Sequence, residues 1–444
     1  MPTKRVRNLP MTPIVTSVWL RRFTFTHEPK KNCSVDSLRT FKLSVGYGSC
    51  IVRAFLEGVA MTWILLIRSR VFSRFELWTQ AVLALDRIRP STRLNENFRL
   101  RFSYACMAGR DSLRIRRVFA GMLRRDLDLS AANNLWLALT AWGLGCFHLA
   151  ILINKRTAKL YGESPEAVIA AREAKFAARL FDGSLVDMLS AIVNPICQSQ
   201  ATNKPVIVVP LSGRYSQLFQ LWKQQIDRHA DGRLVVLAMD PQAREIALKH
   251  GPCEIVDLSP YFAFDAMGRV EDYSKRHLWV LRVLMLRELV SRGQTVISLD
   301  LDAVLVGDLA PMLQAMPNAD IVAQRDHSIP VDVARKLGFI ICCGFMHIRS
   351  NPATIRFMQG YATQVILEMD DQTALNHLLL ESGVRGSLTT NSYMAFSSAG
   401  VSWVCPDTSL VSRDVSYGAV IRHFQQQGHS IEDLQRCLGL YPAR

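Results

Sequence analysis

The sequence predicts an α/β fold, in which a mixed and mostly parallel sheet carries helices on both faces and follows a helical N-terminal region. Short apolar runs such as VIVVP (206–210) and RLVVLAMD (233–240) alternate with segments whose apolar residues recur at helical spacing. Such strand–helix–strand alternation with short connections is typical of a parallel sheet. A composition of 49% hydrophobic and 20% charged residues excludes a disordered chain.

The positive charge of the chain is concentrated in its first third. Residues 1–134 hold 24 Lys and Arg against 9 Asp and Glu, which accounts for the whole net charge of +15. We interpret 1–134 as a separate basic N-terminal region, whose acid-poor opening, 1–27, also resembles an organelle transit peptide. The neutral remainder disfavours a nucleic-acid-binding protein, and no nucleic-acid partner is predicted.

The stretch 135–153, LWLALTAWGLGCFHLAILI, contains nineteen residues and no formal charge. As one helix it would be about 28 Å long, close to the hydrocarbon thickness of a bilayer, so it is a candidate transmembrane helix. The alternative is a buried helix of a large domain. If the stretch is inserted, the basic N-terminal region favours the cytosol, the sequon at Asn32 goes unused and the C-terminal part lies in the lumen. The chain would then be a single-pass Golgi or ER membrane protein, with an organellar location as the alternative.

Residues 154–204 predict a helical stem, and 205–442 predict the main domain. In the stem, Ser164-Pro165-Glu166 places a capping hydroxyl, a proline at the first helical position and an acid in the first turn, which starts a helix over 164–181. In the main domain, a helix over 272–290 ends at Arg292-Gly293, and the strand 295–306 is interrupted by acids.

Asp300-Leu301-Asp302 is the sharpest chemical feature, because two carboxylates stand where the apolar run VISL breaks off. Carboxylates at i and i+2 of an extended chain point to one side, and a divalent cation is their natural partner. A plain strand end with solvent-facing acids is the alternative. DLDAV also fits the DxDx[TV] string of haloacid-dehalogenase-like phosphotransferases. However, that motif sits on the first strand of its domain, and here two strand–helix units come first.

Six segments, in the order in which they follow one another along the chain, resemble the nucleotide-diphospho-sugar transferase family of GT-A glycosyltransferases, which includes plant arabinosyl- and xylosyltransferases. The resemblance rests on VIVVPLSGRYSQLFQLWKQQI, LVVLAMDPQAREIALKHG, GQTVISLDLDAVLVGDLAPML, FIICCGFMHIRSNPATIRFMQG, MDDQTALNHLL and AVIRHFQQQG. It covers residues from about 205 to 440 and implies a GT-A-like fold for this part of the chain.

The resemblance implies a role for each matching residue. Asp300, Asp302 and His423 would bind Mn²⁺ or Mg²⁺, and Asp300 would also contact the nucleotide. Asp371 and Gln372 would lie near the anomeric carbon of the donor sugar, unless they only cap and begin a helix. The remaining candidates for donor binding are Ser212, Gly213, Arg214, Arg282, Gly344 and Asn376, of which Arg282 could instead form a helix-surface salt bridge and Asn376 could be structural.

The implied activity is transfer of a hexose or pentose from a nucleotide-sugar, expected to be a UDP-sugar, to the hydroxyl of a glycan or glycoprotein acceptor. The family resemblance implies retention of anomeric configuration. The chain departs from the family pattern at Cys342, which replaces an asparagine. This departure leaves open a catalytically inactive, GT-A-derived binding protein beside the phosphotransferase alternative.

Overall fold

A computed structural model of the chain describes residues 113–127, 130–198, 204–262, 264, 275–316, 319–327, 330–412, 419–423, 432 and 435. The described residues fall into two compact units, which divide after Thr157. The predictions for the opening 1–27, for the sequon at Asn32 and for most of the basic region lie outside the described residues.

Helices dominate the first part of the described chain, and helices alternate with strands after it. The helices are α1 (Leu113–Asp126), α2 (Ala131–Gly143), α3 (Phe147–Tyr161), α4 (Pro165–Phe181), α5 (Ser184–Gln198), α6 (Ser216–His229), α7 (Pro241–Lys249), α8 (Lys275–Ser291), α9 (Leu309–Gln314), α10 (Val331–Leu337), α11 (Pro352–Glu368) and α12 (Asp371–Ser382). The strands are β1 (Val206–Leu211), β2 (Arg233–Ala238), β3 (Glu254–Asp257), β4 (Val296–Leu299), β5 (Ala303–Leu305), β6 (Ile321–Asp326), β7 (Ile340–Ile348), β8 (Arg385–Thr389), β9 (Tyr393–Ser398), β10 (Val401–Pro406), β11 (Val411–Ser412) and β12 (Ile421–His423).

The apolar stretch 135–153 is not one helix, so the prediction of a single nineteen-residue helix was wrong. α2 ends at Gly143, α3 begins at Phe147, and Gly145 between them has a φ of 74°. A glycine adopts this left-handed conformation at no steric cost and so ends a helix. Around the break, Trp136, Leu137, Ala138 and Ile153 are buried in a small apolar core of the first unit.

Among the residues that the structure describes, no helix combines the length and the apolar character that crossing a bilayer requires.

The predicted helix over 164–181 is confirmed as α4. The hydroxyl of Ser164 accepts a hydrogen bond from the backbone N–H of Ala167 at 3.2 Å, and Pro165 is the first helical residue. This geometry follows from the sequence alone, because an N-terminal cap involves residues that are only three positions apart.

The helices of the predicted stem contact the sheet domain directly. On α4, the buried carboxylate of Glu173 pairs with Arg276 and lies 2.9 Å from Nε2 of His277, both at the start of α8. On α5, the hydroxyl of Ser190 donates to the carboxylate of Glu288 at 2.8 Å. Ion pairs and hydrogen bonds therefore join α4 and α5 to α8.

Nine strands form the main sheet in the order β3-β2-β1-β4-β7-β6-β10-β9-β8. The pairings of β1 with β2 and β4, of β2 with β3 and of β10 with β6 are parallel, and the other four are antiparallel. Seven of these nine described strands therefore point one way, and β7 and β9 run against them. The predicted mixed, mostly parallel sheet is confirmed.

The buried core lies between this sheet and the helices that cover it. On one face, Ile207 and Val209 of β1 pack with Phe219 and Trp222 of α6 and with Ala243 of α7 in one apolar cluster. On the other side, α8 packs against α5, α11 and β4. The alternation of strands with amphipathic helices predicted this arrangement, because each helix buries one face against the sheet.

Candidate active site

The two aspartates of the DxD motif occupy a tight turn between β4 and β5. The backbone N–H of Ala303 donates to the carbonyl of Asp300 at 3.0 Å, and the N–H of Asp300 donates to the carbonyl of Gly344 on the neighbouring strand β7 at 2.9 Å. The indole of Trp222 on α6 donates to the carbonyl of Ala303 at 2.9 Å and holds the far side of the turn. The carboxylates therefore converge through a turn rather than along an extended chain.

His423 reaches this turn through a second, three-stranded sheet. β12 pairs antiparallel with β5, and the register places His423 opposite Ala303. As a result, Nε2 of His423 lies 3.3 Å from Oδ1 of Asp302, although the two residues are far apart in sequence. One ligand atom from each of Asp300, Asp302 and His423 lies within 4.8 Å of the other two.

These three side chains fit a divalent cation. Nε2 of His423 is buried, and Oδ1 of Asp302 lies 3.3 Å from it. Two carboxylates and one imidazole are a donor set that suits Mn²⁺ or Mg²⁺, and a bound ion would satisfy that buried nitrogen. The structure thus brings together the three residues that the sequence proposed as metal ligands.

The electrostatic field at this site favours a positive charge. Burial by itself would lower the pKa of His423, but the carboxylate of Asp302 outweighs it and raises this pKa well above its usual value. Burial raises the pKa of Asp300, the guanidinium of Arg282 opposes this, and Asp302 adds to the increase. The acidic groups that favour an imidazolium here would also favour a metal ion.

The imidazole of His423 is enclosed by residues that the sequence analysis did not connect with it. Nδ1 lies 2.7 Å from Oε1 of Gln324 on β6 and 3.8 Å from Sγ of Cys342 on β7. A Cβ atom added to Gly344 would lie 2.8 Å from Nδ1 and 2.9 Å from Nε2 of the ring. Gly344, expected to admit the donor, is thus the residue against which the ring packs. No sequence motif pointed to Gln324.

Arg282 connects the metal cluster to a third buried acid. Its guanidinium pairs with Asp300 through one nitrogen and with Asp371 through the other, and the arginine is 3% exposed. Burial would lower the pKa of Arg282, but Asp371 and Asp300 outweigh it and raise this pKa. Arg282 is therefore a buried bridge between two acids and not a helix-surface ion pair; its predicted diphosphate contact stays a prediction.

The N-terminus of α12 holds Asp371 in a defined position. Asp370, not Asp371, caps the helix by accepting from the N–H of Thr373 at 2.8 Å. Oδ1 of Asp371 accepts from the N–H of Gln372 at 2.8 Å, and Tyr361 donates to the backbone carbonyl of Asp371 at 3.1 Å. With Oδ2 paired to Arg282, both carboxylate oxygens of Asp371 have hydrogen-bond donors.

Asn376, one turn further along α12, is engaged with the backbone. Its Oδ1 accepts from the N–H of Ile341 at 2.7 Å, and its Nδ2 donates to the carbonyls of Ile341 and Gln372, each at 2.7 Å. Both amide hydrogens are thus used to tie α12 to β7. This geometry favours the structural role over the predicted donor-sugar contact.

The loop Ser212-Gly213-Arg214 follows β1, the strand that pairs with β4. The N–H of Gly213 donates to the carboxylate of Asp240, at 2.9 Å to Oδ2, and Oδ1 of the same aspartate accepts from the N–H of Ala243 at 2.7 Å. Asp240 therefore caps α7 and anchors the loop. The loop and the DxD turn lie at the carboxyl ends of adjacent parallel strands, where α/β sheets bind ligands.

Comparison with known proteins relates one segment of the chain to a family. Residues 229–413 match the sequence profile of the nucleotide-diphospho-sugar transferase family. The match includes Asp300, Asp302, Gly344, Asp371 and Gln372, whereas the loop after β1 and His423 lie outside it. The predicted resemblance is confirmed for this part of the chain.

Solved structures similar to the chain are glycosyltransferases. Mouse xyloside xylosyltransferase 1, apo form, has 13% identity and a TM-score of 0.32 over 50% of this chain and 98% of that chain. The galactosyltransferase LgtC with donor and acceptor sugar analogs has 13% identity and a TM-score of 0.34 over 54% and 97%. The apo WbbM bifunctional glycosyltransferase has 14% identity and a TM-score of 0.29, and the chain covers 38% of it. No curated protein matches the chain.

Proposed function

We propose that this nucleotide-sugar transferase is a metal-dependent enzyme that moves a sugar from a UDP-sugar to an acceptor hydroxyl with retention of configuration. The observation that carries the metal dependence is the convergence of Asp300, Asp302 and His423, whose ligand atoms lie within 4.8 Å of one another. The UDP specificity, the glycan or glycoprotein acceptor and the retention rest on the family resemblance.

The three ligands would hold Mn²⁺ or Mg²⁺, which supplies positive charge for the departing diphosphate. Arg282 pairs with both Asp300 and Asp371 and so fixes these acids relative to each other. Held in place by Arg282, Asp371 is suited to stabilise the positive charge that develops on the anomeric carbon, because glycosyl transfer passes through an oxocarbenium-like state. Gln372 follows it at the start of α12 and would contact the donor sugar or its acceptor.

The two alternative functions make different demands on the site. A DxD phosphotransferase would use Asp300 as a covalent nucleophile, yet here this carboxylate is paired with Arg282. An inactive binding protein has no need of the ligand set, whereas this chain keeps Asp300, Asp302 and His423 together. Cys342, the departure from the family pattern, is buried beside His423 and leaves this arrangement intact.

The first experiment uses the purified full-length chain with a panel of UDP- and GDP-sugars, in Mn²⁺, in Mg²⁺ and with chelator. We expect nucleotide release from one or a few UDP-sugars that needs the metal and falls at least about 100-fold in Asp302→Asn, because neutralising one ligand weakens the metal site. Asp257→Asn is the matched control, since Asp257 is an exposed acid at the end of β3.

The control should release nucleotide like the unmodified chain. Hydrolysis of phosphate esters without any nucleotide release would overturn the proposal in favour of the phosphotransferase. Release that is equal in chelator and in Asp302→Asn would overturn the metal dependence alone. The membrane location predicted from residues 135–153 stays a prediction that this assay does not address.

A further inference from the structure

One buried amide contacts the proposed metal ligand His423 on the side away from the metal cluster. Oε1 of Gln324 lies 2.7 Å from Nδ1 of His423, and each of the two residues is 1% exposed. Gln324 is on β6, which is separate from the DxD turn and from β12. None of the sequence motifs assigns a catalytic or metal-binding role to Gln324.

The chemistry of the contact fixes the state of the ring. An amide oxygen only accepts hydrogen bonds, so at 2.7 Å the proton must be on Nδ1 of the imidazole. When the imidazolium gives up one proton to bind a metal, the proton on Nδ1 is the one that stays, and Nε2 then carries the lone pair. Nε2 is also the nitrogen that lies 3.3 Å from Oδ1 of Asp302. Nε2 is therefore the nitrogen that the ring offers to a metal in the cluster.

The local backbone holds Gln324 in this place. The register between β6 and β7 shifts between Ala323 and Gln324, after which Gln324 is opposite Cys342. Such an irregularity re-aims a side chain relative to a regular strand. Sγ of Cys342 is 3.8 Å from the same Nδ1, but a thiol is a weak acceptor. Gln324 is thus the strong acceptor at this nitrogen among the described contacts.

We propose that Gln324 is a positioning residue of this transferase, which holds His423 as the Nδ1–H tautomer so that Nε2 binds the metal. The inference deepens the proposed function and rests on it for the metal. Carboxylate or carbonyl partners of metal-binding histidines act in this way in metal sites generally, and losing one typically weakens metal affinity 10- to 100-fold.

The test compares Gln324→Leu with Gln324→Glu in the full-length chain. Leucine has a similar size but no acceptor, whereas glutamate retains an oxygen at the same reach. The tautomer is measured on metal-free protein, at a pH high enough to make His423 neutral, by long-range ¹H–¹⁵N correlation spectra with ¹⁵N-labelled histidine, in which His423→Asn identifies the signals of His423. Mn²⁺ affinity is measured by the electron paramagnetic resonance of free Mn²⁺, which needs no turnover.

We expect the Nδ1–H form of His423 in the unmodified chain and in Gln324→Glu, and its loss in Gln324→Leu together with a 10- to 100-fold increase in the Mn²⁺ dissociation constant. Gln364→Leu is the matched control, because Gln364 is also buried but contacts Glu368 on α11. This control should leave both readouts unchanged. Near-UV circular dichroism shows whether each variant is folded. If the leucine variant is not, the tautomer of His423 in the unmodified chain carries the test.

Two results would overturn the inference. A proton on Nε2 of His423 in the unmodified chain would mean that the amide of Gln324 presents its nitrogen to the ring. Equal Mn²⁺ affinity and equal tautomer in Gln324→Leu would mean that the contact does not position the ligand. If the unmodified chain holds the Nδ1–H form but binds no Mn²⁺, the metal dependence of the proposed function fails, while the effect of Gln324 on the ring stands.

Discussion

Gly344 and His423 show how one missing side chain makes room for another. The ring of His423 occupies the space that a Cβ on residue 344 would need. Gly360 in the middle of α11 is different, because a Cβ there would lie 3.7 Å from the nearest side-chain atom of Leu378, an ordinary contact. The same substitution should therefore have opposite effects at these two positions.

We predict that Gly344→Ala lowers the free energy of unfolding by about 1–3 kcal/mol, as overpacking of a filled site does. It should also weaken Mn²⁺ binding, because the ring of His423 must move. Gly360→Ala should raise stability by about 0.5–1 kcal/mol, since alanine is favoured over glycine inside a helix. Urea denaturation of the two variants checks both signs. A stable Gly344→Ala variant with normal Mn²⁺ affinity would contradict the observed packing.

At the scale of single elements, the N-terminal cap of α7 also binds the loop that follows β1. Its capping residue Asp240 accepts from Ala243 within the helix and from Gly213 in the loop. Ser164 of α4 makes the ordinary cap, with a single bond to Ala167. One side chain at the start of α7 therefore serves both the helix and a candidate nucleotide-binding loop.

We predict that Asp240→Ala lowers the free energy of unfolding by about 1–2 kcal/mol and also weakens UDP binding, because the N–H of Gly213 loses its acceptor. Ser164→Ala should lower stability by about 1 kcal/mol and leave UDP binding unchanged. Chemical denaturation and calorimetric titration with UDP separate the two effects. Unchanged UDP affinity in Asp240→Ala would remove the loop from the binding site.

At the scale of the whole molecule, two buried histidines give stability opposite pH dependences. His377 lies 3.3 Å from Asp332 and 3.4 Å from Glu368. Burial would lower its pKa, but hydrogen bonds to Asp332 and Glu368 outweigh this and raise the pKa of His377 to about 9. Burial, aided by Arg349, lowers the pKa of His347 on β7 to about 4.

A raised histidine pKa stabilises the fold fully below the unfolded value of 6.5, and this stabilisation is lost as the pH rises through about 9. We predict that His377 contributes about 3 kcal/mol of stability at pH 6 that disappears by pH 10, and that His377→Gln removes this part of the pH dependence. Urea denaturation at intervals between pH 6 and 10 measures it.

His347→Gln is the control, because a lowered pKa affects stability on the acid side of 6.5, as the pH falls toward about 4. This variant should keep the alkaline loss of stability that the unmodified chain shows. If His377→Gln also retains that loss, His377 is not charged in the folded protein.

Much of the fold was predictable because its signals are local. The strands β1, β2 and β4, the cap at Ser164 and the end of α8 before Gly293 follow from residues close together in sequence. The error at 135–153 has the same origin. The uninterrupted apolar composition of this stretch indicates one continuous helix, but the left-handed backbone at Gly145 ends the helix within it.

The sequence by itself determined the α/β class, the family resemblance and the choice of Asp300, Asp302 and His423 as candidate metal ligands, because apolar periodicity and motifs in a fixed order are properties of the chain. The tertiary structure alone decided that β12 brings His423 to Asp302, that Arg282 joins Asp300 to Asp371 and that Gln324 meets the ring of His423. These contacts join residues 18 to 121 positions apart. Strand order and register create them, and no local pattern encodes which strands become neighbours.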